Sequence, residues 1–237
     1  MTAGATSGIR LLDWDSEFFG FPIARIEPDS VVAGVAWCLE RGVRCAYLLA
    51  DADDSPTLQA AAAAGFRAVD VRVTLTAVRA PRQPAGGGAR PAVAADIPSL
   101  TAIARHAHTD SRFYADGGFD RARCDDLFAT WIEQSCLGWA DHVVVYDDGR
   151  GAAGYVTVHD RAGRGEIGLV AVHERARGRG AGRAMIAVAR AWCELRRLSP
   201  ITVVTQGGNR AALAFYQTNG FDVTALQIWY HRWFPQP

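Results

Sequence analysis

Two periods of hydrophobic and polar positions succeed one another along this chain, and each change of period marks an element. Leu100, Ile103 and Ala104 recur at helical spacing behind Asp96-Ile-Pro-Ser, which reads as the cap of that helix. Leu127, Phe128, Trp131 and Ile132 repeat that spacing and predict a helix from Asp120 to about Leu137. Two strands, His142–Tyr146 and Gly154–His159, follow across Asp147-Asp-Gly-Arg150, a hairpin signal. Glu166–Val172 predicts a third strand, reached through the turn Ala162–Gly165. A helix over about Gly180–Arg197 comes next, then a β-branched strand over Ile201–Thr205. The helix Asn209–Asn219 is closed by Gly220, and a last strand runs over Val223–Phe234. Antiparallel strands followed by strand–helix–strand–helix–strand make an α+β fold.

One stretch breaks the pattern. Ala80–Pro91 holds three prolines and a triple glycine without apolar anchors, so it reads as a connector. The expected organisation is a loose tail over 1–8, a small α/β domain over 9–79, a linker over 80–91 and a larger domain over 92–237. The small domain echoes the end of the large one. Leu48–Asp54, a helix over Ala60–Ala64, Gly65-Phe66 and a strand over Val69–Val78 parallel Val203–Asn209, a helix, Gly220-Phe221 and the last strand. Counted back from the Gly-Phe pair, Asp54 falls where Asn209 falls and Ala61 where Tyr216 falls. The first part then reads as a truncated copy that keeps the scaffold and lacks the chemistry; chance similarity of strand–helix–strand units reads equally well.

Composition narrows the partners more than the fold. Lys+Arg and Asp+Glu are both 25, so no net field draws the chain to nucleic acid or an anionic membrane. Five widely spaced cysteines without a C-x-x-C pair fit scattered thiols in a reducing, cytoplasmic setting and give no metal signature. No stretch approaches the roughly 18 continuous apolar residues that a membrane span needs.

Local charge is concentrated at Val172-His-Glu-Arg-Ala-Arg-Gly-Arg-Gly-Ala-Gly-Arg183. A strand ends there, and a helix begins within a run of glycines. Unpaired N–H groups at a helix start attract anions, and Gly178, Gly180 and Gly182 would let one approach. Arg177, Arg179 and Arg183 add charge, so the segment reads as a phosphate or pyrophosphate cradle. It is not a P-loop, because no lysine follows the glycines. Nor is it a Rossmann turn: five residues separate it from the strand, and position 202 is threonine rather than an acid. The remaining reading is R-x-x-G-x-G, carried by Arg177, Gly180 and Gly182.

Together with Gly168-Leu-Val-Ala-Val-His173 and Asn209-Arg-Ala-Ala-Leu-Ala-Phe-Tyr-Gln-Thr-Asn-Gly-Phe221, this turn resembles the GNAT superfamily of acyl-CoA N-acyltransferases. The likeness covers about 90–234 and implies a mixed, splayed central sheet with flanking helices. It implies acetyl-CoA as co-substrate, with pantetheine along Leu169, Val170, Ala171 and Val172 as a substitute strand. Its pyrophosphate would lie at Arg177, Gly178, Arg179, Gly180, Ala181, Gly182 and Arg183, with Asn209, Ala212 and Phe215 completing the site. A backbone N–H near Val170 would polarise the thioester carbonyl. The family also implies that Tyr216 is the general acid on the departing thiolate; a core aromatic beside Phe215 is the alternative. Glu166 is the candidate base, and a surface carboxylate at a strand end reads equally well.

Leu11–Pro22, Ser111-Arg-Phe-Tyr and Trp131-Ile-Glu are similar to family members that act on nucleotide-linked 4-amino-deoxysugars. That similarity implies a small-molecule amine acceptor, with Arg112 meeting a diphosphate and Phe113 or Tyr114 stacking on a base or sugar. Trp14, Phe18 and Phe19 read better as a folding nucleus than as substrate contacts. A protein N-terminus, an amino acid or an aminoglycoside is the alternative acceptor, and a non-catalytic acyl-CoA sensor is the alternative of another class. A homodimer is compatible with all of these.

Overall fold

The computed structural model describes residues 8–78 and 87–235. The first of these segments runs β1 (Ile9–Leu11), α1 (Asp13–Phe19), β2 (Ile23–Ile26), α2 (Val31–Glu40), β3 (Cys45–Asp51), α3 (Ser55–Ala63) and β4 (Arg67–Ala77). The second opens with β5 (Ala89–Pro91), α4 (Ile97–Ala107), the short α5 (Arg112–Ala115) and α6 (Arg121–Gln134). It closes with β6 (His142–Asp147), β7 (Ala152–Asp160), β8 (Gly165–Val172), α7 (Ala181–Leu195), β9 (Ile201–Gln206), α8 (Arg210–Thr218) and β10 (Asp222–Trp233). The elements expected from periodicity in the second segment all form. Sequence reading passed over β1, α1, β2 and α2, which are short or lack a clean period.

Two local expectations change. Asp96 does not cap α4: its carboxylate takes the Arg90 guanidinium at 2.7 Å and the Val93 N–H at 2.9 Å. The helix predicted to reach Leu137 is α-helical only to Gln134 and ends in a π-turn, Ser135–Trp139. Of the expected connector and tail, residues 79–86 and 1–7 lie outside the described residues, while Ala89–Pro91 pairs with β6 as a strand.

Among the described residues all strands join one mixed sheet, in the order β1-β2-β3-β10-β4-β9-β8-β7-β6-β5. Strands from both sides of the connector therefore interleave. The end of the chain, β10, lies antiparallel between β3 and β4, and β4 in turn lies beside β9. The two strand–helix–strand units noted in the sequence agree in local geometry. Asp54 caps α3 at φ −79°, ψ 72° by accepting from Thr57 N–H; Asn209 caps α8 at φ −83°, ψ 73° by accepting from Ala212 N–H. Gly65 and Gly220 end the two helices at φ +75° and +78°, a conformation glycine adopts without steric cost. Each unit sends its last strand across to the other, and β4 and β10 pair where they cross.

Apolar side chains fill both faces. Phe221, Val203, Ile167 and Met185 form part of the core under α7 and α8. Leu127, Ile132, Phe113, Phe119 and Tyr155 form a core with α4 and α6, and Phe18, Trp14 and Phe19 pack into it.

Candidate active site

The site begins where two strands part. β8 and β9 pair in parallel only over Gly165–Ile167 and Ile201–Val203. Beyond Ile167 the ladder stops, because Gly168 and Leu169 together face Thr157 of β7 as a bulge. Gly168 is required there: a Cβ would fall 2.7 Å from Thr157 Oγ1 and 2.9 Å from His159 Nε2. Thr157 Oγ1 also accepts the Leu169 N–H at 2.8 Å. Further along β8, His173 N–H donates to Ala153 O of the β7 side. Peptide groups alternate in direction along a strand, so those of Val170 and Val172 turn away from β7 into the gap left by β9.

The glycine turn closes one end of this gap. Gly178 and Gly180 have φ +72° and +81°; a side chain at either would be strained by its own backbone rather than by a neighbour. Gly180 is the N-cap of α7 and offers no side-chain cap, so the first N–H groups of the helix keep their donors. Gly182 is small for another reason: a Cβ there would stand 3.1 Å from the Phe215 ring. Ala153, Ala176 and Ala181 bury against one another and fix the turn to β7. Arg177, Arg179 and Arg183 are exposed around it, and Arg177 Nε donates to Val172 O at 3.0 Å.

These elements enclose a cleft of about 600 Å³. It is lined by Val170, Ala171 and Val172, by Arg177, Gly178, Gly180, Ala181, Gly182 and Arg183, and by Asn209, Ala212, Phe215 and Tyr216. Of the residues expected to hold acetyl-CoA, Leu169 and Arg179 do not line this cleft. The rest come together from three elements, and their features suit the cofactor: an unpaired strand edge for the amides of the pantetheine arm and a bare helix start for its pyrophosphate.

A second cavity of about 340 Å³ opens on the other side and shares Val170, Asn209, Ala212 and Tyr216 with the first. It is polar. Asp70 and Arg72 of β4, Asp110 and Ser111, Arg112 and Trp229 line it, together with Leu169 and Phe113. Sequence reading singled out Arg112 and Phe113 and missed the others; a carboxylate inside a valine-rich strand was the available signal for Asp70. Phe113 is only 3% exposed and packs on Phe19, Phe119 and Trp131, so little of its ring is open for stacking. Glu166 lines neither cavity. It sits where β8 and β9 are still paired, half-exposed, with Arg161 Nε 3.3 Å from its Oε1.

Tyr216 stands between the cavities. It is 5% exposed, packs on Phe215 and Phe221, and its hydroxyl has no hydrogen-bond partner among the described residues. Burial pushes its phenol well above the ordinary value, so it keeps its proton at neutral pH. Burial also pushes the Asp70 carboxyl up to about 6, against the pull of the Val71 N–H and the Arg112 charge. His108, stacked on Phe128 and 2.8 Å from Tyr155 Oη, is pushed down to about 4 by burial and stays neutral. Among the described residues no group of three or more His, Cys, Asp or Glu is placed to hold a metal ion.

Comparison with known proteins agrees with this geometry. Residues 102–221 match the Acetyltransferase (GNAT) family. The chain is 30% identical to dTDP-fucosamine acetyltransferase of Escherichia coli O6:H1 (strain CFT073), over 95% of this chain and 98% of that protein. A GCN5-related N-acetyltransferase from Sphaerobacter thermophilus superposes with a TM-score of 0.67 at 17% identity, covering 97% of this chain and 76% of its own. A tandem GNAT protein from the clavulanic acid biosynthesis pathway gives 0.60 at 13% identity, over 92% and 77% of the two chains. With a matching family model, a full-length relative and the splayed sheet in place, the chain belongs to the GNAT acetyltransferase family and is an acyl-CoA-dependent N-acyltransferase.

Proposed function

We propose that this enzyme moves an acetyl group from acetyl-CoA to the primary amine of a dTDP-linked 4-amino-deoxysugar, by direct attack within a ternary complex. The observation that carries the proposal is the meeting of two cavities at Tyr216, one shaped for a CoA thioester and the other polar enough for an amine-bearing sugar. The 30% identity to a dTDP-fucosamine acetyltransferase along nearly the whole chain supports the acceptor class.

Acetyl-CoA supplies the acetyl group as an activated thioester. The Val170 N–H, turned into the gap, donates to the carbonyl oxygen as charge develops on it. Asp70 takes the proton that the attacking amine must lose; a carboxyl near pH 6 is poised for that role, and this replaces Glu166, which faces solvent beside Arg161. Tyr216 gives its phenolic proton to the departing thiolate. The five free thiols, four of them buried, support a reducing, cytoplasmic setting.

Asp70 and Asp110 in the acceptor cavity also favour a cationic acceptor such as an aminoglycoside. The deciding experiment incubates the protein with acetyl-CoA and a panel of amines: a dTDP-4-amino-4,6-dideoxysugar, peptides and aminoglycosides, read by mass spectrometry. A 42-Da gain on the dTDP-sugar above all others is the expected result (the mass of an acetyl group replacing hydrogen, about 42 Da). Preferential acetylation of peptides or aminoglycosides would overturn the acceptor assignment.

A further inference from the structure

The acceptor cavity contains a cation whose setting the acetyl transfer itself does not explain. Arg112 lies deep in the fold, with its guanidinium 4.2 Å from the centre of the Tyr47 ring, 4.1 Å from that of Phe113 and 4.3 Å from that of Trp229. Burying a guanidinium is costly, and the usual compensation is a carboxylate in direct contact. Among the described residues Arg112 has no such ion pair. Its Nη1 instead lies 2.6 Å from Nε2 of His231, which is 1% exposed.

Arginine can only donate, so His231 Nε2 must accept, and the imidazole proton must sit on Nδ1. Nδ1 then donates to Asp116 Oδ2 at 2.6 Å. Trp233 Nε1 donates to the same oxygen at 2.8 Å, and Gly118 N–H to Oδ1 at 3.0 Å. Asp116 is thus saturated from behind, and His231 is a neutral spacer. The carboxylate steadies the guanidinium through the ring without covering the side that faces the cavity. A second feature points to the same place. Ser111 Oγ is buried, lines the same cavity and has no hydrogen-bond partner among the described residues, although a buried hydroxyl left unpaired is disfavoured.

We infer that Ser111 and Arg112 form an anion subsite for a phosphate of the acceptor, with His231 and Asp116 as positioning residues that aim the guanidinium at it. This inference deepens the acceptor reading above and rests on it. The enzyme then selects amines that carry a phosphate within reach of the cavity, as a nucleoside diphosphate-linked sugar does, and disfavours the same amine without one. A guanidinium gives a phosphate two parallel N–H donors, and the free hydroxyl adds a third.

The test measures binding of thymidine diphosphate by calorimetry at saturating acetyl-CoA, so that the cofactor cradle is already filled. The unaltered protein should bind it. Ser111→Ala should weaken that binding at least ~3-fold and Arg112→Lys at least ~10-fold, with acetyl-CoA affinity unchanged. His231→Gln should weaken it as well, and should lower kcat/KM for a dTDP-aminosugar while leaving that for the free aminosugar in place. Because the Ser111 hydroxyl has no partner among the described residues, its removal breaks no hydrogen bond there, and the test survives if the Arg112 variant fails to fold. No binding by the unaltered protein, or equal binding by Ser111→Ala and Arg112→Lys, overturns the inference. Thymidine diphosphate binding without acetylation of any amine would keep the subsite and sink the transferase assignment to dTDP-sugars. Acetylation of phosphate-free amines without such binding would keep the transferase activity and sink both the subsite and the dTDP-sugar acceptor.

Discussion

A phenol and a carboxyl are displaced in opposite functional directions by the same cause. Burial holds the proton on Tyr216, which suits an acid, and lifts Asp70 to about 6, which suits a base at neutral pH. Tyr216→Phe removes the transferable proton and little volume. Turnover should fall ~10²-fold or more while acetyl-CoA affinity, read by calorimetry, is kept; equal turnover would take Tyr216 out of the mechanism. For Asp70 the sign follows from its role: a base works only after losing its proton, so kcat/KM should fall as pH drops through about 6. Asp70→Asn should lower kcat/KM ~10²-fold or more and abolish that acid limb. The stability effect runs the other way. A carboxyl whose folded value is raised from 3.8 to about 6 costs stability as pH climbs through that window, and the whole cost is present above it. Asp70→Asn should therefore not lower the melting temperature at pH 8, and a clear drop there would refute the burial account.

At the scale of elements, the cofactor groove depends on two backbone features. One is the bulge at Gly168 that ends the β8–β9 ladder, and the other is the uncapped helix start at Gly180. Gly180→Val forces a β-branched residue to φ +81°, which costs of order 1–3 kcal/mol locally and reshapes the turn. Acetyl-CoA titration heat should be lost while the far-ultraviolet circular dichroism stays native-like; unchanged heat would sink the pyrophosphate assignment. The helix start was legible in the sequence because its causes are local. Gly178, Gly180 and the cap at Asn209 each act over a few residues, and Tyr216 falls one helix-face repeat after Asn209. The bulge was not read, since it depends on Thr157 and His159 of the neighbouring strand.

At the scale of the molecule, β10 ties both halves together. It pairs with β3 over Gln227–Trp233 and with β4 over Asp222–His231. Removing residues 222–237 exposes both partners at once, so the truncated chain should lose cooperative unfolding throughout. Calorimetry of the full chain should give one transition, and a separate, surviving transition for residues 8–78 after truncation would show that the first segment folds alone. This arrangement also explains which residues sequence reading left apart. Arg112 reaches His231 across 119 positions, and Asp116 reaches Trp233 across 117. The sequence alone determined the GNAT motifs, the glycine turn and the cap at Asn209, and set Tyr216 one helix-face repeat beyond that cap, because each rests on hydrogen bonds and periodicities that close within a turn or two of chain. Tertiary structure alone decided that Asp70 lines the second cavity, that Glu166 does not, and that a histidine–aspartate pair stands behind Arg112. Those contacts follow from β10 inserting between β3 and β4, a long-range pairing that no local pattern specifies.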